Sequence, residues 1–372
     1  MVMQSINPLE MSSLQIVYDN MSPLDEKDGR RGVFHLIEHL IGVLFDPILP
    51  ELHEFGICDD FSTSHEHVVL SFTGTTEAIE KFAPKIIYTV TAASSKKISR
   101  DMFEMERSAV FNEMRELDDD FYASTMRDAL IKVYGIHSPE GDYRDVQCYS
   151  FKDFKKDFDR LVPYPTNICY VGPRSLDLPD LRVDPYEAGK FPPFEFKANR
   201  KADPTDIDLS GDSVVISAFS TKPVTTNKEY AAIDLACRML GGDSEGALYK
   251  LLRMEDQLVY SFSASVEPFR TAAIPIFMTS AASGDAPKVI ARMKQVLDKP
   301  EDYLDEMEFV RCKHMFEAVL KQQEIMRFTA PGINTRFGMI KDELEIRDIT
   351  YEYMLKVVRK YIKKGTFRYF AG

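Results

Sequence analysis

The sequence predicts an α+β chain made of two similar domains. Three observations carry this. Its 372 residues exceed what one small core organises and suit two domains of about 180 residues each. Short runs rich in Val, Ile, Leu and Phe alternate with longer stretches of helical period. The order of these elements restarts after a proline-rich stretch: strand, helix, strands, helix, long helix, helix, strand.

In the first half, Leu14-Gln15-Ile16-Val17-Tyr18 reads as the opening strand. A polar loop from Asp25 to Arg31 leads into a helix that begins near Val33 and ends by Pro47. Val68 to Phe72 is a strand, and Thr76 to about Ala92 a helix. Ser99 is placed to cap a long helix from Arg100 to about Asp118. Ala123 to Val133 is a further helix, and Asn167 to Gly172 the closing strand.

Pro173, Pro179, Pro185, Pro192, Pro193 and Pro204 then stand among many charges with no period, which predicts a connection. The expected division is 1–172, a linker over 173–212, and 213–372. The second half should hold strands at Ser213 to Ala218, Tyr260 to Val266, Ile274 to Thr279 and Phe367 to Phe370. Its helices are expected at Lys228 to Leu240, Ala286 to Leu297, 303–326 and 350–363. Thr76-Glu77-Ala78-Ile79 and Asp285-Ala286-Pro287-Lys288 open matching helices, as an internal duplication would.

Composition narrows the function. Apolar residues are 44% and charged residues 28%, ordinary for a soluble globular protein. No apolar run approaches the ~18 residues of a membrane span. The net charge of −13 argues against nucleic acid as partner. Met1 to Leu14 lacks the basic-then-apolar pattern of a secretory signal. Cys58, Cys148, Cys169, Cys237 and Cys312 are odd in number and scattered, with no C-x-x-C. Reduced thiols in the cytoplasm, and no cysteine-based zinc site, are the expectation.

The most informative stretch is His35-Leu36-Ile37-Glu38-His39, or H-x-x-E-H. Imidazoles at i and i+4 share one face of a helix and can grip a single metal ion. Glu38, at i+3, points the same way and can take a proton from water activated by zinc. Val33, Phe34, Leu36, Ile37, Leu40, Ile41, Val43, Leu44 and Phe45 make the rest of the helix apolar, so it should be buried. Gly42 removes a side chain beside the polar stripe and leaves room for a ligand or a backbone. Two satisfied core histidines are the bland reading of the same residues. His65-Glu66-His67 is a competing pair on one face of a strand, without a third ligand nearby in sequence.

Zinc catalysis needs three protein ligands and an open position. The helix after Ser99 offers Glu106 and Glu113, seven apart and so on one face, with Glu113 lying 74 positions (113 − 39) after His39. The H-x-x-E-H motif, this distance and the Glu106/Glu113 pair together resemble the pitrilysin/insulinase family of inverted zinc peptidases, in a short two-domain form like the mitochondrial processing peptidase branch. The resemblance implies Glu113 as third ligand and Glu106 as the carboxylate orienting the site. A second match runs from Leu240-Gly241-Gly242-Asp243 through Leu248 to Arg253 and on to Tyr260. It is similar to the family's glycine-rich turn and R-x-x-x-x-x-x-Y element, whose Arg and Tyr stabilise the oxyanion of the reacting carbonyl. Together the matches span roughly 14 to 171 and 213 to 372.

The resemblance further implies duplicated halves, each a mainly antiparallel sheet with helices on one face. It implies a single Zn2+ per chain on His35, His39 and Glu113, with Glu38 as base and Arg253 and Tyr260 on the oxyanion. A peptide or unfolded segment would pair its backbone with an edge strand at Asp60, Phe61, Ser62 and Thr63. The family's Asn-Ala is replaced there by Asp60-Phe61, and its third turn glycine by Asp243. Family members enclose substrate in a chamber of four such domains, so a two-domain chain is expected to be a homodimer whose Arg253 and Tyr260 complete the partner's site. A non-catalytic peptide-binding or scaffold subunit of the same fold is the alternative, as is a peptidase dedicated to processing one partner protein.

Overall fold

The computed structural model describes residues 2–6, 10–178, 195–199, 211–242, 245–269, 272–325 and 348–371. These fall into two compact units. One draws on 1–116 and 137–178, the other on 117–136, 195–322 and 348–371. Most of the linker expected over 173–212 lies outside the described residues, as does Asp243.

The first unit is built on a five-stranded sheet. Its strands are β1 (Val2–Ile6), β2 (Met11–Tyr18), β3 (Cys58–Thr63), β4 (Val68–Thr75) and β5 (Asn167–Gly172), in the order β1-β5-β2-β4-β3. All neighbours are antiparallel except β1 and β5. In register, Leu14 faces Phe72 on one side and Tyr170 on the other. These residues, with Ile16, Tyr18, Leu70 and Ile168, form the sheet's contribution to the core. Helices α1 (Val33–Phe45) and α3 (Thr76–Thr91) pack against them. The opposite face carries Ser13, Gln15, Val17, Val69, Ser71 and Cys169, which are buried too. A strand buried on both faces loses the in/out alternation that announces it.

Helix caps follow the local sequence. Thr75 accepts the Ala78 N–H at the start of α3. Ser99 accepts the Met102 N–H at the start of α4 (Arg100–Asp119), as its position predicts. The structure adds α2 (Leu49–Glu54), α6 (Tyr143–Cys148) and α7 (Phe151–Leu161), none of which was expected. In α7 the apolar stripe is Phe151, Phe154, Phe158 and Leu161, at helical spacing among charges.

Helix α1 is buried over most of its surface. The room made by Gly42 is filled from within the fold. A Cβ there would lie 3.6–3.7 Å from the Phe61 ring, an ordinary contact. That ring also packs edge-on to Phe45 and Phe72. The expectation of space for a ligand is therefore corrected: the space belongs to Phe61. Because Gly42 lies mid-helix and a methyl group fits, Gly42→Ala is expected to stabilise the chain by about 0.5–1 kcal/mol. Urea unfolding of the variant measures this, and a loss of stability would show that the ring cannot accept the methyl.

The second unit has a four-stranded antiparallel sheet. Its strands are β6 (Ser213–Ser220), β7 (Val259–Pro268), β8 (Ala273–Ala282) and β9 (Phe367–Ala371), ordered β7-β8-β6-β9. Val214, Ile216, Ala218, Phe277 and Ala281 share a core with α8 (Asn227–Cys237), α10 (Ala286–Asp298) and α12 (Tyr351–Tyr361). The long helix α11 spans Glu306–Ile325. Helix α5 (Phe121–Tyr134) stands early in the sequence but joins this unit. Its Tyr134 hydroxyl donates to the Ser220 carbonyl, and Lys132 lies over the Phe370 ring. Two sheets with packed helices, each mainly antiparallel, are the predicted fold class.

After Cys237 the helix widens into a π turn over Arg238–Gly242. A Cβ on Gly241 would meet the Phe262 ring at 2.6 Å, so glycine is required for this turn to lie against β7. Among the described residues, no helix is long and apolar enough to cross a membrane. All five cysteines are free thiols.

Candidate metal centre

Helix α1 presents His35, Glu38 and His39 toward α4, which supplies Glu106 and Glu113. The His35 Nε2 lies 3.1 Å from Glu113 Oε2, and the His39 Nε2 lies 3.4 Å from Glu113 Oε1. The two Nε2 atoms are 3.3 Å apart. Among the described residues this is the one group of His, Cys, Asp or Glu side chains able to hold a metal ion. Two imidazole nitrogens and a carboxylate are a donor set suited to catalytic zinc. The set is buried on one side and open on the other: side-chain exposure is 8% for His35 and 46% for Glu113. Such an asymmetry leaves a direction from which water and substrate can approach.

Around these three atoms sit the supporting groups. Glu106 Oε2 lies 3.2 Å from His39 Nδ1, the arrangement that fixes a ligand histidine's tautomer and ring plane. Glu38 is buried beside His35, with the nearest N···O distance 3.9 Å. The Thr63 hydroxyl donates to Glu38 Oε2 at 3.4 Å. Burial pushes the Glu38 carboxyl up to about 7, opposed by the charge of His39 and reinforced by that of Glu113. For Glu113 the order of effects is reversed. The hydrogen bond from His35 is the largest and holds the carboxyl below its usual range.

Among the described residues, His65 and His67 belong to no group able to hold a metal ion, and burial pushes the His65 imidazole down to about 4.

Among the described residues, strand β3 is the outer strand of its sheet, hydrogen-bonded to β4 alone. Its residues alternate in exposure. Asp60 and Ser62 are exposed, while Phe61 and Thr63 are half-buried on the side of α1. Phe61 is thus a packing residue, and the Thr63 hydroxyl reaches Glu38.

The Arg253/Tyr260 element lies in the second unit. Helix α9 (Ala247–Tyr249) continues as a π turn over Lys250–Glu255 that carries Arg253. Gln257, with φ +54°, reverses the chain into β7. The Leu258 N–H donates to the Leu252 carbonyl at 2.8 Å. Arg292 from α10 grips Asp256 through two hydrogen bonds of 2.6 and 3.0 Å. The result stacks the Arg253 guanidinium 4.9 Å from the Tyr260 ring centroid. Tyr260 is 79% exposed.

Sequence reasoning missed one group near the histidines. Glu26 accepts the N–H groups of Gly32 and Phe34, at 2.7 Å each, where α1 begins. No short motif announces a cap from six residues upstream.

Comparison with known proteins agrees with this architecture. A family model described as the Peptidase M16 inactive domain matches residues 178–316. A protease from Helicobacter pylori superposes with a TM-score of 0.78 at 15% identity, covering 100% of this chain and 96% of that one. The fold is M16-like. A chain of complex III2 from Candida albicans gives a TM-score of 0.78 at 12% identity, over 100% of this chain and 93% of that one. The periplasmic protease PqqL from Escherichia coli gives 0.67 at 12% identity, over 100% of this chain but only 46% of its own length. No curated protein matches the sequence. The M16 match begins after the His35, His39 and Glu113 cluster, so its "inactive" label describes the half of the chain without that cluster.

Proposed function

We propose that the chain is a zinc-dependent endopeptidase that hydrolyses peptides or unfolded segments. The observation that carries this reading is the convergence of His35, His39 and Glu113 beside a buried carboxylate, Glu38. His35 Nε2, His39 Nε2 and a Glu113 oxygen would hold the ion, and Glu106 would orient His39. Zinc bound there would supply Lewis acidity for a peptide carbonyl and for the attacking water. Glu38 takes the proton from that water at its carboxylate and delivers it to the leaving amine. Arg253 and Tyr260 donate to the developing oxyanion. Substrate lies extended along β3, bonded through its backbone.

The active form is read as a homodimer, with the Arg253/Tyr260 element serving the partner chain's zinc. Support comes from the resemblance, and from PqqL, of whose length this chain covers 46%. A cytoplasmic location remains part of the proposal.

The test is hydrolysis of a quenched-fluorescent peptide library. Activity should vanish with a chelator and return with added zinc. Activity undiminished by thorough chelation would contradict the metal role.

A second reading is a non-catalytic scaffold, favoured by the model labelled inactive and by the match to a complex III2 chain. A zinc-loaded protein that cuts no peptide in the library would select it.

A further inference from the structure

Helix α1 begins without a cap of its own. Its first flanking residue is Gly32, at φ +89°, which has no side chain to bind the free amides of the first turn. A Cβ there would lie 2.3 Å from the Glu140 carbonyl oxygen, so no capping side chain can be placed at this position. Glu26 supplies the missing acceptors. Its Oε2 accepts the Gly32 N–H and its Oε1 the Phe34 N–H, both at 2.7 Å. Both oxygens are used, and the next residue along the helix after Phe34 is His35.

The loop holding Glu26 is itself anchored. The Glu26 N–H donates to the Pro23 carbonyl at 3.1 Å. Arg30 pairs with Asp157 of α7, whose carboxylate also accepts the Tyr149 hydroxyl at 2.9 Å. The Arg31 N–H donates to Asp145 at 3.0 Å. Burial pushes the Glu26 carboxyl up to about 8, against the hydrogen bonds from Phe34 and Gly32 and the charge of Arg30.

The two ligand histidines differ in support. Glu106 holds the ring of His39 at Nδ1. The Nδ1 of His35 is buried and has no hydrogen-bond partner among the described residues. The aim of His35 therefore depends on its backbone, which is the first turn of α1. We propose that Glu26 is a positioning residue of the metal centre, bridging the Gly32 and Phe34 amides so that His35 Nε2 points at the ion. This rests on the zinc reading given above.

Supporting groups of this kind typically change metal affinity by 10–100-fold when removed. The experiment is zinc titration against a chromophoric chelator, using the full chain and its Glu26→Ala and Glu26→Gln variants. Thr226→Ala serves as control: it removes the cap of α8, which carries none of the named site residues. Glu26→Ala should weaken zinc binding about 10-fold or more. Glu26→Gln keeps one carbonyl acceptor and should fall between. Thr226→Ala should bind zinc within about twofold of wild type while losing comparable stability. Cobalt-loaded Glu26→Ala should show a shifted visible spectrum, reporting a changed ligand geometry. Wild-type zinc affinity in Glu26→Ala, or equal weakening in Thr226→Ala, overturns the positioning role alone. A wild-type chain that binds no zinc overturns the metal reading and this inference with it.

Discussion

Glu38→Gln is expected to slow peptide hydrolysis about a thousandfold or more while zinc stays bound. The change keeps shape and volume but removes the group that accepts and returns the proton. Glu38 approaches His35 no nearer than 3.9 Å and is not one of the three converging ligands, so metal content should not fall. The Thr63 hydroxyl, 3.4 Å from Glu38, can donate equally to a Gln carbonyl, which preserves the local packing. The measurement is kcat/KM on a fluorogenic peptide beside metal analysis of the same sample. A variant within tenfold of wild type would place the proton acceptor elsewhere.

Mixing two inactive chains should restore activity. Arg253→Ala removes an oxyanion donor and keeps Glu38, whereas Glu38→Gln removes the proton acceptor and keeps Arg253; both keep the three converging ligands. In a heterodimer completed in trans, one of the two sites has every group intact. Random subunit exchange should then return about a quarter of wild-type activity, since half of the dimers carry one competent site. Each variant alone should be nearly inactive. No recovery, with heterodimers demonstrated by mass, would eliminate completion in trans. It would leave the zinc chemistry untouched.

How much of this could be read from residues alone varies from element to element. The grouping of the site side chains was legible because helical periodicity turns spacing into geometry: i and i+4 place His35 and His39 together, and a seven-residue interval aligns Glu106 with Glu113. Their closeness across two helices was not derivable from spacing, and the family resemblance supplied it. Strands β2 and β4 were visible as apolar runs, but burial on both faces hid their alternation. Helix α7 was missed although Phe151, Phe154, Phe158 and Leu161 stand at helical spacing after the capping Ser150, a signal that could have found it. Helix α5 was legible as a helix, yet its membership of the second unit comes from packing against β6 and β9, with Tyr134 bonding Ser220 86 positions away. Gly42 was correctly read as making space and wrongly assigned an occupant. Only the three-dimensional neighbour, Phe61, decides that.

The most direct measurement is zinc stoichiometry of the purified chain, compared with His39→Ala and Glu113→Gln. A single zinc ion per wild-type chain is expected, with both variants largely empty after dialysis against a weak chelator. A wild-type chain without zinc, or variants that retain it as fully as wild type, would contradict a metal centre at His35, His39 and Glu113.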